Sequence, residues 1–343
     1  MINDLNFFCT HRLPIAEAAK AKGFEIVIGY GEDGGADINE LEQKGFRLKY
    51  IPMQRGNINL FNDLITFFKI WIFFKKEKPD IAHLVTIKPY LYGGIISRLL
   101  SVPCLVSAVS GLGTLFIRDD LKSNFLLFFI YPFYKFAFNH FNQKIIFQNK
   151  DDLRLLEDWG VINSHKVKLL KGSGVKLENF VNLNEPDGVP TICFAARLLR
   201  DKGVYEFVDA ARLLKERGIQ ARFLLAGDID ISNPTGLNHE ELKKIKNEGN
   251  VEILGYDKDI PRLYNLSHIV CLPSYREGMP KGLLEAAAAA RAVVTTDVPG
   301  CRDAIIPNKT GLIVPVKNSE KLANALQWLI DHPKERIAMG RAG

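Results

Sequence analysis

The chain has 343 residues, of which 47% are hydrophobic and 24% charged, a globular composition that argues against disorder and a coiled coil. Because a single core rarely grows beyond about 250–300 residues, this length favours two domains. The formal net charge of +6 suits an anionic ligand or a membrane surface, and it does not indicate nucleic acid.

Short β-branched runs alternate with helix-period segments, which predicts βα units that build parallel sheets. The first half contains the predicted strands EIVIGY, LKYIP, DIAHLV, PCLVSAVS and KIIFQN. After a linker-like stretch, KGSGVKLENFVNLNEPDGVP, come TICFAAR, ARFLLAGD, VEILGY, HIVCLPS, AVVTTDV and GLIVPV. We therefore predict an α/β protein of two Rossmann-like domains, residues 1–171 and 172–343. Its ligand is expected at the carboxyl ends of the strands, in the cleft between the domains.

Aromatic residues concentrate in two segments of the first half, NLFNDLITFFKIWIFFKKEKPD and NFLLFFIYPFYKFAFNHF. Either segment could pack on the sheet as a helix, or lie on a membrane with its lysines against anionic lipid. The apolar residues of ITFFKIWIFF go nearly all round the helix, which favours a buried helix. For residues 124–141 both alternatives stay open.

The first half offers few groups for catalysis. Lys88 follows the strand DIAHLV, where it is either a ligand of an acceptor phosphate or a solvated loop lysine. His83 and His11 are better explained as hydrogen-bonded structural or substrate-positioning residues than as general bases. Gly111 and Gly113 in GLGTLF predict a tight turn, because the last glycine of a dinucleotide fingerprint and its acidic partner are lacking.

Two cations follow the first strand of the second half. Arg197 stands at the carboxyl end of TICFAAR, and Lys202 lies five residues further on, before the helix GVYEFVDAARLLKERG. Together they could neutralise a diphosphate, since an arginine fork binds phosphate oxygens bidentately. Alone, RLLRDKG is a weak signal.

The stretch YREGMPKGLLEAAAAAR predicts a loop and then a helix, with Pro280 near the first helical position. Free N–H groups and the macrodipole favour an anion there, which predicts a phosphate-bearing ligand. Glu277 would then point toward what the phosphate carries, and Glu285, in the second turn, toward a sugar hydroxyl. The stretch alone equally fits two surface glutamates that flank a buried helix.

Metal sites are not indicated. Asp228 and Asp230 have a D-x-D spacing, but they end a strand and open a loop, where aspartates are ordinary turn residues. The five scattered cysteines form no C-x-x-C pair, so we expect reduced thiols in a cytoplasmic protein. We expect no signal peptide and no spanning helix, because no apolar run reaches about 18–20 residues.

The stretches ARLLRDKG, EILGYDKDIPRLYNLSHIVCLPS and EGMPKGLLEA, in this order and spacing, resemble the nucleotide-sugar-binding half of glycosyltransferase family 4 (glycosyl transferases group 1), which has the GT-B fold. Glu277 and Glu285 match the E-x7-E motif of that family. NDLNFFCTHRLPIAEAAKAKGFEI, DIAHLVTIKPYLYGGIISRLL and SGLGTLF resemble the acceptor half of its branch for bacterial capsule, O-antigen and lipid-linked oligosaccharide.

The resemblance implies retaining transfer of a sugar from a nucleotide diphosphate donor, a UDP-sugar, to a lipid-linked or oligosaccharide acceptor, with no cofactor or bound metal. Fixed cations at the diphosphate would replace the metal, because negative charge builds on the departing diphosphate. An acceptor on a polyprenyl diphosphate would also give peripheral contact with the cytoplasmic face of the inner membrane a purpose.

Carried over residue by residue, the resemblance implies that Arg197 and Lys202 bind the diphosphate and stabilise the leaving group. Glu277 would contact the sugar hydroxyls and Glu285 the ribose. Pro280 departs from the family, since many members carry glycine there, and it supplies no N–H. Backbone N–H groups from Gly278 to Lys281 would help to hold the phosphates. The remaining donor candidates are therefore Gly278, Met279 and Lys281, together with Leu283.

On the acceptor side, Ser110 stands at or near the place of a histidine that some relatives carry, so a catalytic histidine is not supported there. The candidate acceptor residues are His83, Lys88, Ser110 and Gly111.

Two alternatives to a transferase stay open: a nucleotide-sugar-binding protein without transferase activity, and a nucleotide-sugar epimerase, which the motif spacing fits less well. Relatives begin with a further apolar strand and end with helices that cross back to the first domain. Only Met1 and Ile2 precede NDLNFF, and the chain stops at ERIAMGRAG, so we expect both features to be missing.

Overall fold

The computed structural model of the chain describes residues 1–53, 59–112, 116, 121–181, 184–231 and 233–343. Its internal contacts divide it into two units, Met1–Ser173 and Gly174–Gly343, against the predicted division at 171/172. All eleven strands predicted from the sequence are present, together with two three-residue strands that the sequence reading missed.

The first unit contains a parallel sheet and its covering helices. Its strands are β1 (Ile2–Asp4), β2 (Val27–Glu32), β3 (Arg47–Tyr50), β4 (Ile81–Val85), β5 (Cys104–Val109), β6 (Gln143–Phe147) and β7 (Val167–Leu169). Its helices are α1 (Leu5–His11), α2 (Leu13–Ala21), α3 (Ile38–Gln43), α4 (Leu60–Glu77), α5 (Gly94–Leu99, after a π-helical turn at Pro89–Gly93), α6 (Leu121–Ala137) and α7 (Lys150–Asp158).

The strand order of this unit is β3-β2-β1 and β4-β5-β6-β7, with every pairing parallel. Met1 joins the two parts, because its carbonyl accepts from Val85 N–H (3.0 Å) and its amino group donates to the carbonyl of His83 (2.6 Å). Ile2–Asp4 form a short strand, which ends at Asp4 because that side chain caps α1 through Phe7 N–H.

Alternate residues of the central strands bury on opposite faces, as the period-2 pattern requires. Leu84 and Leu105 belong to the core that also holds Tyr134 of α6, whereas Val85 and Ala108 belong to the core around Ile2, Ile28 and Leu41. The helices α4, α5 and α6 thus share one face of the sheet, which right-handed crossovers also require.

Helix α4 corrects the sequence-based interpretation. It begins at the cap Asn59 and ends at Lys78 in the left-handed region, and it buries Ile70 and Phe74. The opposite side is exposed rather than buried, because only one layer of structure covers the helix. Its exposed apolar residues are Phe61, Leu64, Ile65, Phe68 and Ile72.

Within the described residues, the second unit has six parallel strands. They are β8 (Thr191–Ala195), β9 (Arg222–Ala226), β10 (Glu252–Gly255), β11 (Ile269–Leu272), β12 (Ala292–Thr296) and β13 (Gly311–Val314). Its helices are α8 (Val204–Glu216), α9 (His239–Glu248), α10 (Ile260–Asn265), α11 (Lys281–Ala288), α12 (Ser319–Asp331) and α13 (Pro333–Ala342). The order β10-β9-β8-β11-β12-β13 reverses between β8 and β11, which is the switch point where such sheets bind ligands.

The predicted linker is largely part of the second unit. Phe180 is 7% exposed within its core, and the carbonyl of Asn184 accepts from the buried Arg291 (2.7 Å). Glu185 forms a bidentate pair with Arg336, with both side chains less than a tenth exposed. The Gly, Pro and Asn residues make the backbone of this stretch irregular, but an irregular backbone can still pack against the core of a domain.

Within the described residues, no helix combines the length and the apolar character that crossing a bilayer requires.

Candidate active site

Two loops meet at the switch point of the second sheet, one after β8 and one after β11. The carbonyl of Asp201, in the first loop, accepts from Tyr275 N–H (2.8 Å) and from the Ser274 hydroxyl (3.1 Å) in the second. The buried Thr296 hydroxyl donates to the carbonyl of Ser274 and fixes this loop to the end of β12. Side chains predicted from separate motifs are thereby held at one edge of the sheet.

Lys202 and Glu277 form an ion pair between these loops. Their side chains are only 21% and 11% exposed, so the pair is partly shielded from water. The structure brings together two residues that the sequence reading had assigned to the diphosphate and to the sugar.

Two glycines permit the close approach of the backbones. Gly203 has φ 77° and lies so near Pro273 that an added Cβ would be 2.2 Å from its carbonyl oxygen. Gly300, also with φ 77°, faces Glu277 and Gly278, whose carbonyl oxygens would each be 2.6 Å from a Cβ. Side chains at these positions would push apart the loops that carry the Lys202–Glu277 pair.

Arg197 lies just past the end of β8 and pairs with Asp230 (2.6 Å). Asp230 and Asp228 lie in the loop after β9, as the turn interpretation predicted. The sequence reading set the D-x-D pair aside and so missed that Asp230 neutralises Arg197. Within the described residues, no three His, Cys, Asp or Glu side chains are placed together as metal ligands.

The helix α11 begins beside this edge. Pro280 is its N-cap rather than its first residue, and Lys281 pairs with Glu285 (2.9 Å) along the first turn. The Tyr264 hydroxyl, on α10, donates to the carbonyl of Gly282 (3.1 Å), which holds α11 against α10. Its N-terminal end is therefore presented at the switch point, where its dipole favours an anion.

Two of the predicted donor residues have buried side chains. The Leu283 side chain is fully buried, and its N–H already donates to the carbonyl of Pro280 (3.1 Å). Met279 is 7% exposed. Apolar side chains at these positions serve the core, which the E-x7-E motif alone does not reveal.

Charged and aromatic neighbours that the sequence reading missed surround the loops. The Tyr275 hydroxyl donates to Glu206 (2.6 Å), and burial and that carboxylate raise the tyrosine pKa. The Lys317 ammonium lies 5.1 Å from the centre of the Tyr275 ring. No local pattern marks these partners, since Tyr275 and Glu206 are 69 residues apart.

A second network fixes the β8 loop to α9. Hydrogen bonds from the Tyr205 hydroxyl (2.7 Å), Asn238 N–H (2.8 Å) and Arg200 (2.5 Å) hold the pKa of Glu241 at about 2. Glu241 also completes a capping box with Asn238. Arg200 is thus a structural cation beside the site.

The acceptor-side candidates lie in the first unit. Lys88 follows β4 and pairs with Asp63 of α4 (2.7 Å); at 15% exposure it is not a solvated loop lysine. His83 lies within β4, and its buried Nε2 has no hydrogen-bond partner among the described residues. Burial, with the positive charges of the amino terminus and Arg12, lowers the His83 pKa to about 3, so the ring is neutral.

Ser110 and Gly111 follow β5 and are half-buried, and Gly111 has φ 143°, which suits the turn predicted there. Gly113 and the two residues after it lie outside the described residues. His11 stacks on Phe7 at 4.1 Å at the end of α1.

The second unit thus places paired cations and carboxylates at the switch point of a Rossmann-like sheet, an arrangement suited to a phosphorylated ligand. Comparison with known families then specifies the class. Residues 175–343 match the family "Glycosyl transferases group 1", and residues 3–149 match "Glycosyl transferase 4-like".

Curated relatives extend over nearly the whole chain. N,N'-diacetylbacillosaminyl-diphospho-undecaprenol alpha-1,3-N-acetylgalactosaminyltransferase of Campylobacter jejuni is 30% identical, over 96% of this chain and 88% of its own length. UDP-Gal:alpha-D-GlcNAc-diphosphoundecaprenol alpha-1,3-galactosyltransferase of Escherichia coli is 26% identical, over 83% of this chain and 75% of its own.

Among solved structures, Anabaena HepE in complex with UDP-glucose superposes with a TM-score of 0.74 at 17% identity, covering 96% of this chain and 88% of HepE. The chain therefore belongs to the glycosyl transferases group 1 family and has the GT-B fold, as its motifs predicted.

Proposed function

We propose that this glycosyltransferase takes a sugar from a UDP-sugar and transfers it, with retention of anomeric configuration, to an acceptor linked to undecaprenyl diphosphate. The names of the Campylobacter and Escherichia relatives support this acceptor class, and the Escherichia name supports a UDP donor. Such an acceptor belongs to the assembly of a bacterial surface glycan.

The Lys202–Glu277 pair at the switch point, with Arg197 on the adjoining loop, carries the proposal. Cleavage of the donor's glycosidic bond builds negative charge on the diphosphate and positive charge on the sugar. Lys202 and Arg197 would stabilise the negative charge on the diphosphate, and Glu277 the positive charge on the sugar. The N-terminal end of α11 would add its dipole to the diphosphate site, and Glu285 would bind the ribose.

The ion pairs of Arg197 and Lys202 have a consequence for donor binding. Arg197 is 49% exposed and bonded to Asp230, so a diphosphate competes with that carboxylate for the guanidinium. Lys202 is more enclosed and is oriented by Glu277 before the donor arrives. We infer that Lys202 is the preorganised cation and that Arg197 exchanges partners when the donor binds.

Calorimetric titration of the full chain with UDP, GDP and ADP, each with and without a chelator of divalent metals, tests the donor half. We expect UDP to bind best and the chelator to change nothing. Arg197→Ala and Lys202→Met should each weaken UDP binding at least about tenfold, as loss of a charged hydrogen bond implies.

A matched control is Arg222→Ala. Arg222 is 53% exposed and pairs with Glu252 as Arg197 pairs with Asp230, but it begins β9, at the opposite edge of the sheet. Equal losses in all three variants, or preference for another nucleotide, would refute the donor assignment.

Transfer of a radiolabelled sugar from a UDP-sugar to a synthetic undecaprenyl-diphosphate saccharide tests the acceptor half. Label on the lipid is the expected result. A chain that binds UDP and only releases free sugar from the UDP-sugar, with no transfer to any acceptor of a panel, would instead be a donor-binding chain without this transferase activity.

A further inference from the structure

The loop that carries Glu277 is bonded to α8 through a tyrosine side chain. Tyr275 stands two residues before Glu277, and its hydroxyl donates to the Glu206 carboxylate over 2.6 Å. Glu206 lies in the first turn of α8, four residues after Lys202. This hydrogen bond therefore joins, at a second point, the same two chain segments that the Lys202–Glu277 ion pair joins.

The chemistry of the contact suits a permanent connection. Burial and the Glu206 carboxylate raise the pKa of Tyr275, so the hydroxyl keeps its proton and remains a donor at neutral pH. The first turn of α8 suits the negative charge of the acceptor, because the helix dipole favours an anion there. A hydrogen bond to a charged acceptor is also shorter and stronger than one between neutral groups.

The backbone of the same loop is held less firmly after Tyr275 than at it. The Tyr275 N–H donates to the Asp201 carbonyl over 2.8 Å. The Glu277 N–H donates to the Pro299 carbonyl over 3.3 Å, which is longer than the usual range of about 2.7–3.2 Å. Because Tyr275 is bonded through both its backbone and its side chain, it fixes the direction in which the chain continues toward Glu277.

The second oxygen of the Glu206 carboxylate shows what loss of the hydroxyl would do. This atom, Oε2, is buried and has no hydrogen-bond partner among the described residues. Without the Tyr275 hydroxyl, Oε1 would lose a donor as well, and burial of a carboxylate that lacks partners is unfavourable. We therefore expect the loop and the start of α8 to shift until water reaches the carboxylate.

We propose that Tyr275 and Glu206 are positioning residues of the transfer reaction, whose hydrogen bond orients Glu277 toward the donor sugar. They act through the loop and the start of α8, and not by contact with the reacting atoms. The proposal rests on the role given to Glu277 in the proposed function. Misorientation of a group that acts in the transition state lowers kcat more than it weakens binding of the nucleotide.

The kinetics of Tyr275→Phe test the proposal in the full chain. Phenylalanine keeps the ring and its contact with the Lys317 ammonium, so the variant removes the hydroxyl alone. The donor is the one that the wild type hydrolyses fastest among UDP-glucose, UDP-galactose and their 2-acetamido forms. We expect kcat to fall about tenfold, whereas KM and the Kd of UDP in calorimetry should change less than about threefold.

Glu206 offers a conservative variant. Glu206→Gln keeps an oxygen that accepts from the Tyr275 hydroxyl, so it should retain most of the wild-type kcat. Glu206→Leu removes the acceptor and should lower kcat as much as Tyr275→Phe does. Tyr275→Phe combined with Glu206→Leu should be no slower than either variant alone, because both changes remove the same bond.

The matched control is Tyr205→Phe. Tyr205 also lies in the first turn of α8, and its hydroxyl also donates to a carboxylate, but this is Glu241 of α9 (2.7 Å). The control should leave kcat within about twofold of the wild type. Urea unfolding should show both phenylalanine variants folded, with similar losses of stability.

The outcomes separate this proposal from the proposed function. If Glu277→Gln lowers kcat but Tyr275→Phe does not, the positioning role is refuted and the proposed function stands. Equal losses of kcat in the Tyr205 and Tyr275 variants also refute it, because lost stability would then explain both.

If the wild type hydrolyses none of the donors, or Glu277→Gln is unimpaired, the proposed function fails, and amide hydrogen exchange decides on the positioning. The Glu277 N–H should then exchange at least about tenfold faster in Tyr275→Phe than in Tyr205→Phe. Equal exchange would overturn the proposal.

Discussion

Gly203 offers the sharpest test of how the two site loops are held together. It is the N-cap of α8 at φ 77°, and an added Cβ would be 2.2 Å from the Pro273 carbonyl oxygen. Real Cβ atoms essentially never approach other heavy atoms within 3.0 Å, so Gly203→Ala must move backbone rather than a flexible side chain.

Gly218, just past the other end of α8, separates the cost of the left-handed backbone from the cost of the close contact. Its φ of 75° nearly equals that of Gly203, but no atom lies within 4 Å of its added Cβ. Gly218→Ala should therefore cost only the left-handed penalty, about 1 kcal/mol of the free energy of unfolding. Gly203→Ala should cost that plus about 2 kcal/mol or more for the enforced shift, about 3 kcal/mol in all.

Urea unfolding followed by circular dichroism measures both costs, and calorimetry measures UDP binding. Gly203→Ala should also weaken UDP binding, because the displaced Pro273 belongs to the loop that leads to Glu277, whereas Gly218→Ala should leave UDP binding unchanged. Equal destabilisation of the two variants, within about 0.5 kcal/mol, would refute the claim that close backbone approach at Gly203 determines the loop geometry.

Further predictions concern charged side chains. Glu277→Gln should lower kcat about a hundredfold with a smaller change in UDP affinity, whereas Arg197→Ala should impair both; unchanged kinetics in both would contradict their assigned roles. Asp230→Asn should strengthen UDP binding severalfold in calorimetry, because the guanidinium then has no carboxylate to release; weaker binding would contradict the exchange. Since the Glu241 pKa is about 2 in the fold against an ordinary 4.5, its ionised form stabilises the fold above pH 4.5, and this contribution is lost as the pH falls toward 2. In urea unfolding, the wild type should lose more stability than Glu241→Gln across that window, and parallel curves would refute the linkage. Arg336→Met should cost about 3–5 kcal/mol in the same assay, because it leaves a buried carboxylate unpaired; a cost near zero would show that water reaches that carboxylate.

The sequence predicted the fold well because each longer strand carries its own local signal. Runs such as TICFA and AVVTT are β-branched or apolar and almost entirely buried, as parallel strands covered on both faces must be. The strands β1 and β7 were missed because three residues carry no periodicity. Their pairing depends on neighbours in the sheet and not on their own composition.

Helix α4 shows where periodicity stops being informative. Apolar residues all round a helix predict burial only if structure covers every side, and the sequence does not state how many layers a domain has. Phe68 and Phe74 are chemically the same residue on one helix, yet one is 61% and the other 4% exposed. The position of each residue relative to the sheet decides whether its side chain is exposed or buried.

In the candidate site, too, the sequence predicted some features and not others. Arg197, Lys202 and Glu277 could be chosen from the sequence because strand ends and motif order mark them. Their partnerships could not, because Arg197 and Asp230 are 33 residues apart and Lys202 and Glu277 are 75 apart. Sheet topology alone brings them together.

These partnerships also explain how one small region can hold so many charges. Arg197, Lys202 and Lys281 are each paired with a carboxylate, so these six side chains together carry little net charge. A diphosphate that takes over the cations releases carboxylates at the moment when sugar and ribose hydroxyls arrive beside them. Because carboxylates accept hydrogen bonds and hydroxyls donate them, the groups displaced by the phosphates become suited to hold the rest of the donor.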